Sequence, residues 1–307
     1  MAPALRAAPS LRPARGAALL ALALGPACQS DNKISSIAVE RVAVTTGDFD
    51  RVEESLARNG VVHDVFEGYI SIPVYDPEAD AGAMSPKVEE LFSGQNEDGY
   101  PLTVEYDAIF VNSGTRGFGA FVYNGLESDD SLVNAASTGA AIDAFLEQPR
   151  TLVVSDWAWE LVEANFPDQI QFQNEELGLD GAQVGLSDRV TAEILDPKLA
   201  ENALSDTLDL SFDFQYWAVM ASVGPEVDVY LRGDIELRGQ DGEGAVTLQD
   251  VPLLVGFDAG AGRVLYSSFS WKAQRPAVTD LLLLSLIEGL QVDTNADDEA
   301  AAQESTP

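Results

Sequence analysis

The stretch Thr151–Glu163, Thr-Leu-Val-Val-Ser-Asp-Trp-Ala-Trp-Glu-Leu-Val-Glu, decides the fold. Leu152, Val153 and Val154 form a short apolar run rich in β-branched residues, the signature of a strand buried on both faces. Ser155 and Asp156 interrupt it with two good N-cap residues, and Trp157, Leu161 and Val162 then recur at helical spacing. A strand, a sharp polar turn and a helix make the geometry in which α/β enzymes hold a nucleophile above a sheet edge. The residue at this turn is Asp156.

Working outward, the segments on the N-terminal side repeat the same logic. Ile37–Val44 predicts a first strand ending at Thr45-Thr46-Gly47. Asp48–Asn59 predicts an amphipathic helix with Phe49, Val52 and Leu56 on one face and Gly60 as its stop. Val61–Phe66 predicts a second strand carrying His63, the only histidine, which reads as a packed or surface residue rather than a catalyst. The prolines and small residues of 75–101 read as a surface insertion with a turn or two of helix at Lys87–Phe92. Leu102–Tyr106 can pair as a strand, Asp107–Val111 is a further buried strand running into Asn112-Ser113-Gly114-Thr115, and Ser131–Glu147 is a helix. Non-alternating strands separated by helices predict an α/β fold, a doubly wound and mostly parallel sheet.

On the C-terminal side, residues 167–250 are a β-rich insertion. Val190–Leu195, Leu208–Phe214 and Val227–Leu231 alternate, and Tyr216–Val223 is mostly apolar, with Tyr216 and Trp217 read as core aromatics. Gln240–Gly244 is a hairpin turn between Ile235–Leu237 and Val246–Leu248. Thr279–Leu290 closes the domain, 37–290, as a helix. The acidic segment 291–307 has the composition of a disordered tail.

The chain's charge of −34 over 307 residues argues against nucleic acid, which needs clustered Lys and Arg. The acids, Asp48, Asp50, Glu53 and Glu54 among them, are spread as on a solvated, self-repelling surface. No calcium-loop motif groups them, so no metal is expected. The Gly114, Gly117 and Gly119 cluster lacks the full phosphate-binding pattern, so no cofactor is expected either. At the N-terminus, Arg6, Arg12 and Arg15 precede the apolar run Ala17–Leu24, as in a secretory signal covering 1–27. Small residues then lead to Cys28, the only cysteine. The segment resembles a bacterial lipobox, although Leu24 stands four residues before Cys28 where the lipobox has leucine three before. It implies lipidation of Cys28, a tether over 28–36 and, with Gln29 after the cysteine, an outer-membrane lipoprotein anchored to the membrane. Ordinary cleavage after Ala27, leaving a soluble periplasmic or secreted protein, is the alternative.

The order of elements, with "YDAIFVNSG", "PRTLVVSDWAWELVE" and the pair Val251–Phe257 and Gly262–Lys272, resembles the class I glutamine amidotransferase-like domains over roughly 37–165 and 251–290. That family has a flavodoxin-like fold. Its Gly-x-Cys-x-Gly elbow falls on Val154-Ser155-Asp156-Trp157-Ala158, so the nucleophile becomes Asp156. Its Phe-His-x-Glu segment falls on Phe269-Ser270-Trp271-Lys272, so the base becomes Ser270 and the acid Lys272. Its glycine-rich oxyanion loop falls on Asn112-Ser113-Gly114. A thiolate mechanism needs an adjacent base, and the resemblance supplies neither thiol nor base. It therefore implies no catalytic residues and an inherited cleft lined by Asn112, Ser113, Gly114, Ser155, Asp156, Trp157, Ser270 and Lys272, open to an unknown small ligand or envelope protein. A hydrolase with chemistry relocated to Asp156, or a purely structural lipoprotein, is the competing reading. The resemblance also places Asp156 opposite Lys272, which implies an ion pair holding Asp156 ionised. The alternative is a solvent-facing Lys272 with Asp156 capping its helix.

Overall fold

The computed structural model describes residues 41–47, 49–68, 88–115, 129–173, 182–186, 189–213, 216–238 and 244–285, with backbone only for 129–136. Cys28, the segments 1–27 and 28–36, and the tail 291–307 lie outside the described residues.

The N-terminal half is a parallel sheet. β1 (Val42–Thr45), β3 (Ala108–Val111) and β4 (Thr151–Ser155) are buried along their whole length, and β2 (His63–Phe66) lies at the edge. β1 pairs in parallel with β2 and β3, β3 with β4, and β4 with β13 (Gly262–Ser267). The order β2-β1-β3-β4-β13 leaves a crevice-forming reversal beside β1, where α/β sheets place their sites. Helices cover both faces. Leu152 and Val154 face Ile142, Phe145 and Leu146 of α3 (Asp129–Leu146), and Val153 faces the opposite core with Val52 and Leu56 of α1 (Val52–Arg58) and Leu282 and Leu283 of the closing helix 276–285. This is the α/β fold expected.

Beyond β13 the sheet turns antiparallel. β12 (Val246–Ala259) pairs with β13 and with β11 (Asp228–Leu237), and Ile235–Leu237 matches Val246–Leu248 as the hairpin signal predicted. The β-rich excursion is therefore no separate module: it extends the same sheet through β11 to β6 (Gln183–Leu186) and β9 (Tyr216–Ala218). β7 (Arg189–Ile194) and β8 (Thr207–Ser211) branch off β11. Between them lies α5 (Pro197–Ala203), whose start Asp196 caps by accepting from the Leu199 N–H at 2.6 Å. The run 216–223 splits at Val219 into β9 and β10 (Met220–Val223), and β10 pairs with β5 (Ile170–Phe172).

Four expectations need correction. Leu102–Tyr106 is no strand: both edges of β1 are taken by β2 and β3, and Pro101 starts a 3-10 turn, Leu102–Glu105, closed by Val104 N–H on Pro101 O. The reading of 75–101 as a surface insertion fails for α2 (Val88–Ser93), because Val88, Leu91 and Phe92 recur at helical spacing and are buried in the core. Residues 69–87 lie outside the described residues. The helix expected over Asp48–Asn59 is confined to α1, so Asp50 precedes it instead of lying on a solvated face. After β4 the chain first makes a 3-10 turn, Asp156–Ala158, and only then α4 (Trp159–Asn165), with Trp159 rather than Trp157 joining Leu161 and Val162 in the core.

Candidate functional site

The loops after β1, β3, β4 and β13 converge at one end of the parallel strands. β4 delivers Asp156 to the turn with φ +41°, the left-handed region that a non-glycine residue enters at a cost of about 1–2 kcal/mol. That is the sharp turn an elbow requires. Its carboxyl group, however, does not face solvent. Asp156 is 1% exposed, its Oδ1 accepts the Ala218 N–H of β9 at 2.9 Å, and its Oδ2 lies 3.3 Å from the Ser113 hydroxyl. The Asp156 carbonyl accepts from Tyr266 Oη at 3.0 Å. The neighbouring Trp157 donates its N–H to Ser113 Oγ at 3.2 Å and its indole Nε1–H to the Tyr216 carbonyl at 2.9 Å. Two successive elbow residues thus hold β9 across the strand ends.

Asp50 is the second hub, and it is 0% exposed. Its carboxylate accepts from Ser155 Oγ at 2.9 Å and from the backbone N–H groups of Arg51, Trp271 and Lys272 at 2.9, 3.0 and 2.8 Å. Ser155 Oγ in turn accepts the Ser113 N–H at 2.9 Å. Asp50, Ser155, Ser113 and Asp156 therefore form one buried chain of polar contacts. Burial dominates the electrostatics. It pushes the Asp50 carboxyl up to about 6 despite the four donors, and it holds Asp156, with two donors and the charges of Asp50 and Asp213 nearby, well above the usual carboxylate range. The same burial, followed by the proximity of Asp156, pushes the Tyr266 phenol up.

The eight residues picked from sequence do gather at this end of the sheet, with unequal roles. Ser113, Ser155 and Asp156 belong to the buried chain. Asn112 is buried and donates from Nδ2 to Glu53 at 2.8 Å, while its Oδ1 is without a hydrogen-bond partner among the described residues. Gly114 is buried with φ +80°, the turn conformation that favours glycine. Trp157 is half-buried and packs edge-on against Phe49 at 4.9 Å. Ser270 is buried, with its hydroxyl unpartnered among the described residues. Lys272 is exposed and reaches the site only through its backbone N–H on Asp50.

The ion pair expected between Asp156 and Lys272 is therefore absent, and Asp156 is driven towards its neutral form rather than held ionised. The capping alternative also fails at Asp156, because its carboxyl bonds β9 and no side-chain cap closes α4. Sequence reading missed Asp50, Glu53 and Ala218. Asp50 had one legible signal: it sits in the loop after β1, where a sheet of this order collects its polar residues.

Among the described residues the carboxylate beside a hydroxyl at the elbow is Asp50, which accepts from Ser155 Oγ at 2.9 Å and is buried. His63 lies on the edge strand with Nδ1 2.9 Å from Val61 O. Among the described residues no group of three or more His, Cys, Asp and Glu side chains is placed to hold a metal ion. No described helix is long and apolar enough to cross a membrane.

No family model matches the chain, and no curated protein matches it in sequence. Solved structures do resemble it. A Thermoplasma acidophilum protein, assigned as one of the subunits of GMP synthase, shares 7% identity at TM-score 0.48, covering 85% of this chain and 98% of that one. A glutamine amidotransferase of Thermotoga maritima shares 11% identity at TM-score 0.40, with 84% and 85% covered. A Bacteroides uniformis protein assigned as ThuA-like shares 11% identity at TM-score 0.41, with 80% and 88% covered. At these identities the likeness is one of fold.

Proposed function

We propose that the protein is a non-catalytic, amidotransferase-like module, exported and lipid-anchored through Cys28, that binds or scaffolds at the cell envelope. One observation carries the non-catalytic part. The residue at the elbow is an acid whose two oxygens lie against Ala218 N–H and the Ser113 hydroxyl, buried beneath β9. A nucleophile must meet its substrate and a base must meet the nucleophile. Here the base position is Ser270, the acid position is an exposed Lys272, and β9 carries the fully buried Trp217 and Ala218, which make it core rather than lid. The anchoring part rests on the basic residues, the apolar run Ala17–Leu24 and Cys28.

Relocated hydrolase chemistry has one observation in its favour, the left-handed φ of Asp156, since strain of that kind gathers at active sites. The two readings separate in one preparation. Membranes of cells making the full-length protein should retain it until detergent is added, and Cys28→Ala should move it to the soluble fraction. The extracted protein should release no ammonia from glutamine and hydrolyse no ester above background. Turnover that disappears in Asp156→Asn would establish the hydrolase instead, and a soluble protein with an unmodified Cys28 thiol would remove the anchor.

A further inference from the structure

The polar chain at the elbow has an unusual charge balance. It contains two carboxyl groups, Asp50 and Asp156, joined through Ser155 and Ser113, and no cationic side chain among the described residues bonds to either. Each charged or titratable group around it opposes ionisation or is engaged elsewhere. Arg51, before α1, spends its guanidinium on the carbonyls of Gly47 and Asp50 and lies 4.0 Å from Glu53. Glu53 of α1 accepts from Asn112. Asp213, ahead of β9, adds negative charge. Tyr266 of β13 donates to the Asp156 carbonyl, and Lys272 is exposed. Burying two carboxylates with no cation bonded to either is costly, and protonating one of them relieves that cost.

The donors are divided unequally. Asp50 has four, enough to saturate a carboxylate. Asp156 has the Ala218 N–H on one oxygen and the Ser113 hydroxyl at a long 3.3 Å on the other. A neutral carboxylic acid fits that second place well, its carbonyl oxygen taking Ala218 N–H and its hydroxyl turned to Ser113 Oγ.

We propose that Asp50, Ser155, Ser113 and Asp156 form a proton-held clasp, in which one proton kept on Asp156 lets both carboxyl groups stay buried, and loss of that proton as the pH rises admits water to the elbow and frees the Ala218 amide. Burial working on Asp156 agrees with this direction. Among the described residues β9 ends the sheet, and its partner β6 meets β11 at Gly185 and Leu237 and through Arg238 N–H on Val184 O, so the clasp is one of the ties on that side, beside Trp157 Nε1–H on Tyr216 O. Asp156→Asn mimics the neutral acid: its Oδ1 can accept from Ala218, its Nδ2 can donate to Ser113, and asparagine tolerates positive φ better than most residues.

The test is amide hydrogen exchange, corrected for intrinsic base catalysis, in wild type and Asp156→Asn from pH 5.5 to 8.5. In wild type the protection of Ala218 should fall by up to about tenfold per pH unit between the open-state and the folded-state pKa of Asp156, the slope of a one-proton equilibrium, and level off above the folded-state value. In Asp156→Asn it should stay level once the pH is above the value of about 6 at which Asp50 titrates, and the thermal midpoint at pH 8 should exceed that of wild type. Equal slopes in the two proteins, or a lower midpoint for the variant throughout, would overturn the clasp. Infrared spectroscopy of the wild type provides a check without any variant. A buried, protonated carboxyl band at pH 7 is expected, and its absence would overturn the proposal equally.

Discussion

Removing the Asp50 side chain with Asp50→Ala would take the acceptor from the buried Trp271 N–H and the part-buried Lys272 N–H and leave the Ser155 hydroxyl only Val111 O at 3.5 Å. A buried donor without a partner costs about 1–3 kcal/mol. We expect urea unfolding of Asp50→Ala to show a loss of at least about 3 kcal/mol, far above the effect of an ordinary surface acid. A change within about 0.5 kcal/mol would return Asp50 to the solvated surface. Its importance was hidden in the sequence because an acid just before a helix looks like surface charge. Asp156 was legible because three β-branched or aliphatic residues, a polar break and a helical repeat mark an elbow whatever chemistry sits there. The partner of Asp156 was not legible. Ala218 contributes only its backbone, 62 residues away along the chain.

At the scale of elements, the parallel strands and their helices could be read because buried parallel strands do not alternate and helices repeat at 3.6. The 3-10 turn at Leu102–Glu105 and the seating of β9 could not, since both depend on which sheet edges are already occupied. β9 is held from both sides. Trp217 stacks on Phe212 at 4.1 Å and donates from Nε1 to Leu186 O at 2.8 Å, and its indole fills the space beside Gly185, where a Cβ would lie 2.3 Å from the ring. Gly185→Ala must therefore displace the indole. We expect a loss of about 1–3 kcal/mol, as overpacking gives, with a red shift in tryptophan emission. An unchanged stability would mean that β6 and β9 are not packed this closely.

For the molecule as a whole, the two buried acids and the net charge of −34 act in the same direction. Asp50 and Asp156 both have folded-state pKa values above the unfolded ones. Their contribution is complete below the unfolded value and is lost as the pH rises through about 6 for Asp50 and higher for Asp156. For Asp50 alone the rise from its ordinary value corresponds to on the order of 3 kcal/mol. Self-repulsion of the surface adds to the effect at neutral pH and is screened by salt. Thermal scans should therefore give a higher midpoint at pH 5 than at pH 8, with the difference reduced but not abolished in 1 M salt. A midpoint that rises from pH 5 to pH 8 would contradict the burial of unpaired acids.

The claim on which the rest depends is that the elbow residue is a structural tie between β4 and β9. Urea unfolding of Asp156→Asn and Asp156→Ala, compared at pH 7, tests it most directly. Asparagine keeps the acceptor for Ala218 and the contact with Ser113; alanine leaves a buried N–H without a partner. The asparagine variant should be the more stable by about 1–3 kcal/mol. Equal stabilities, or a more stable alanine variant, would show an elbow that β9 does not engage and would reopen it as an active-site cleft.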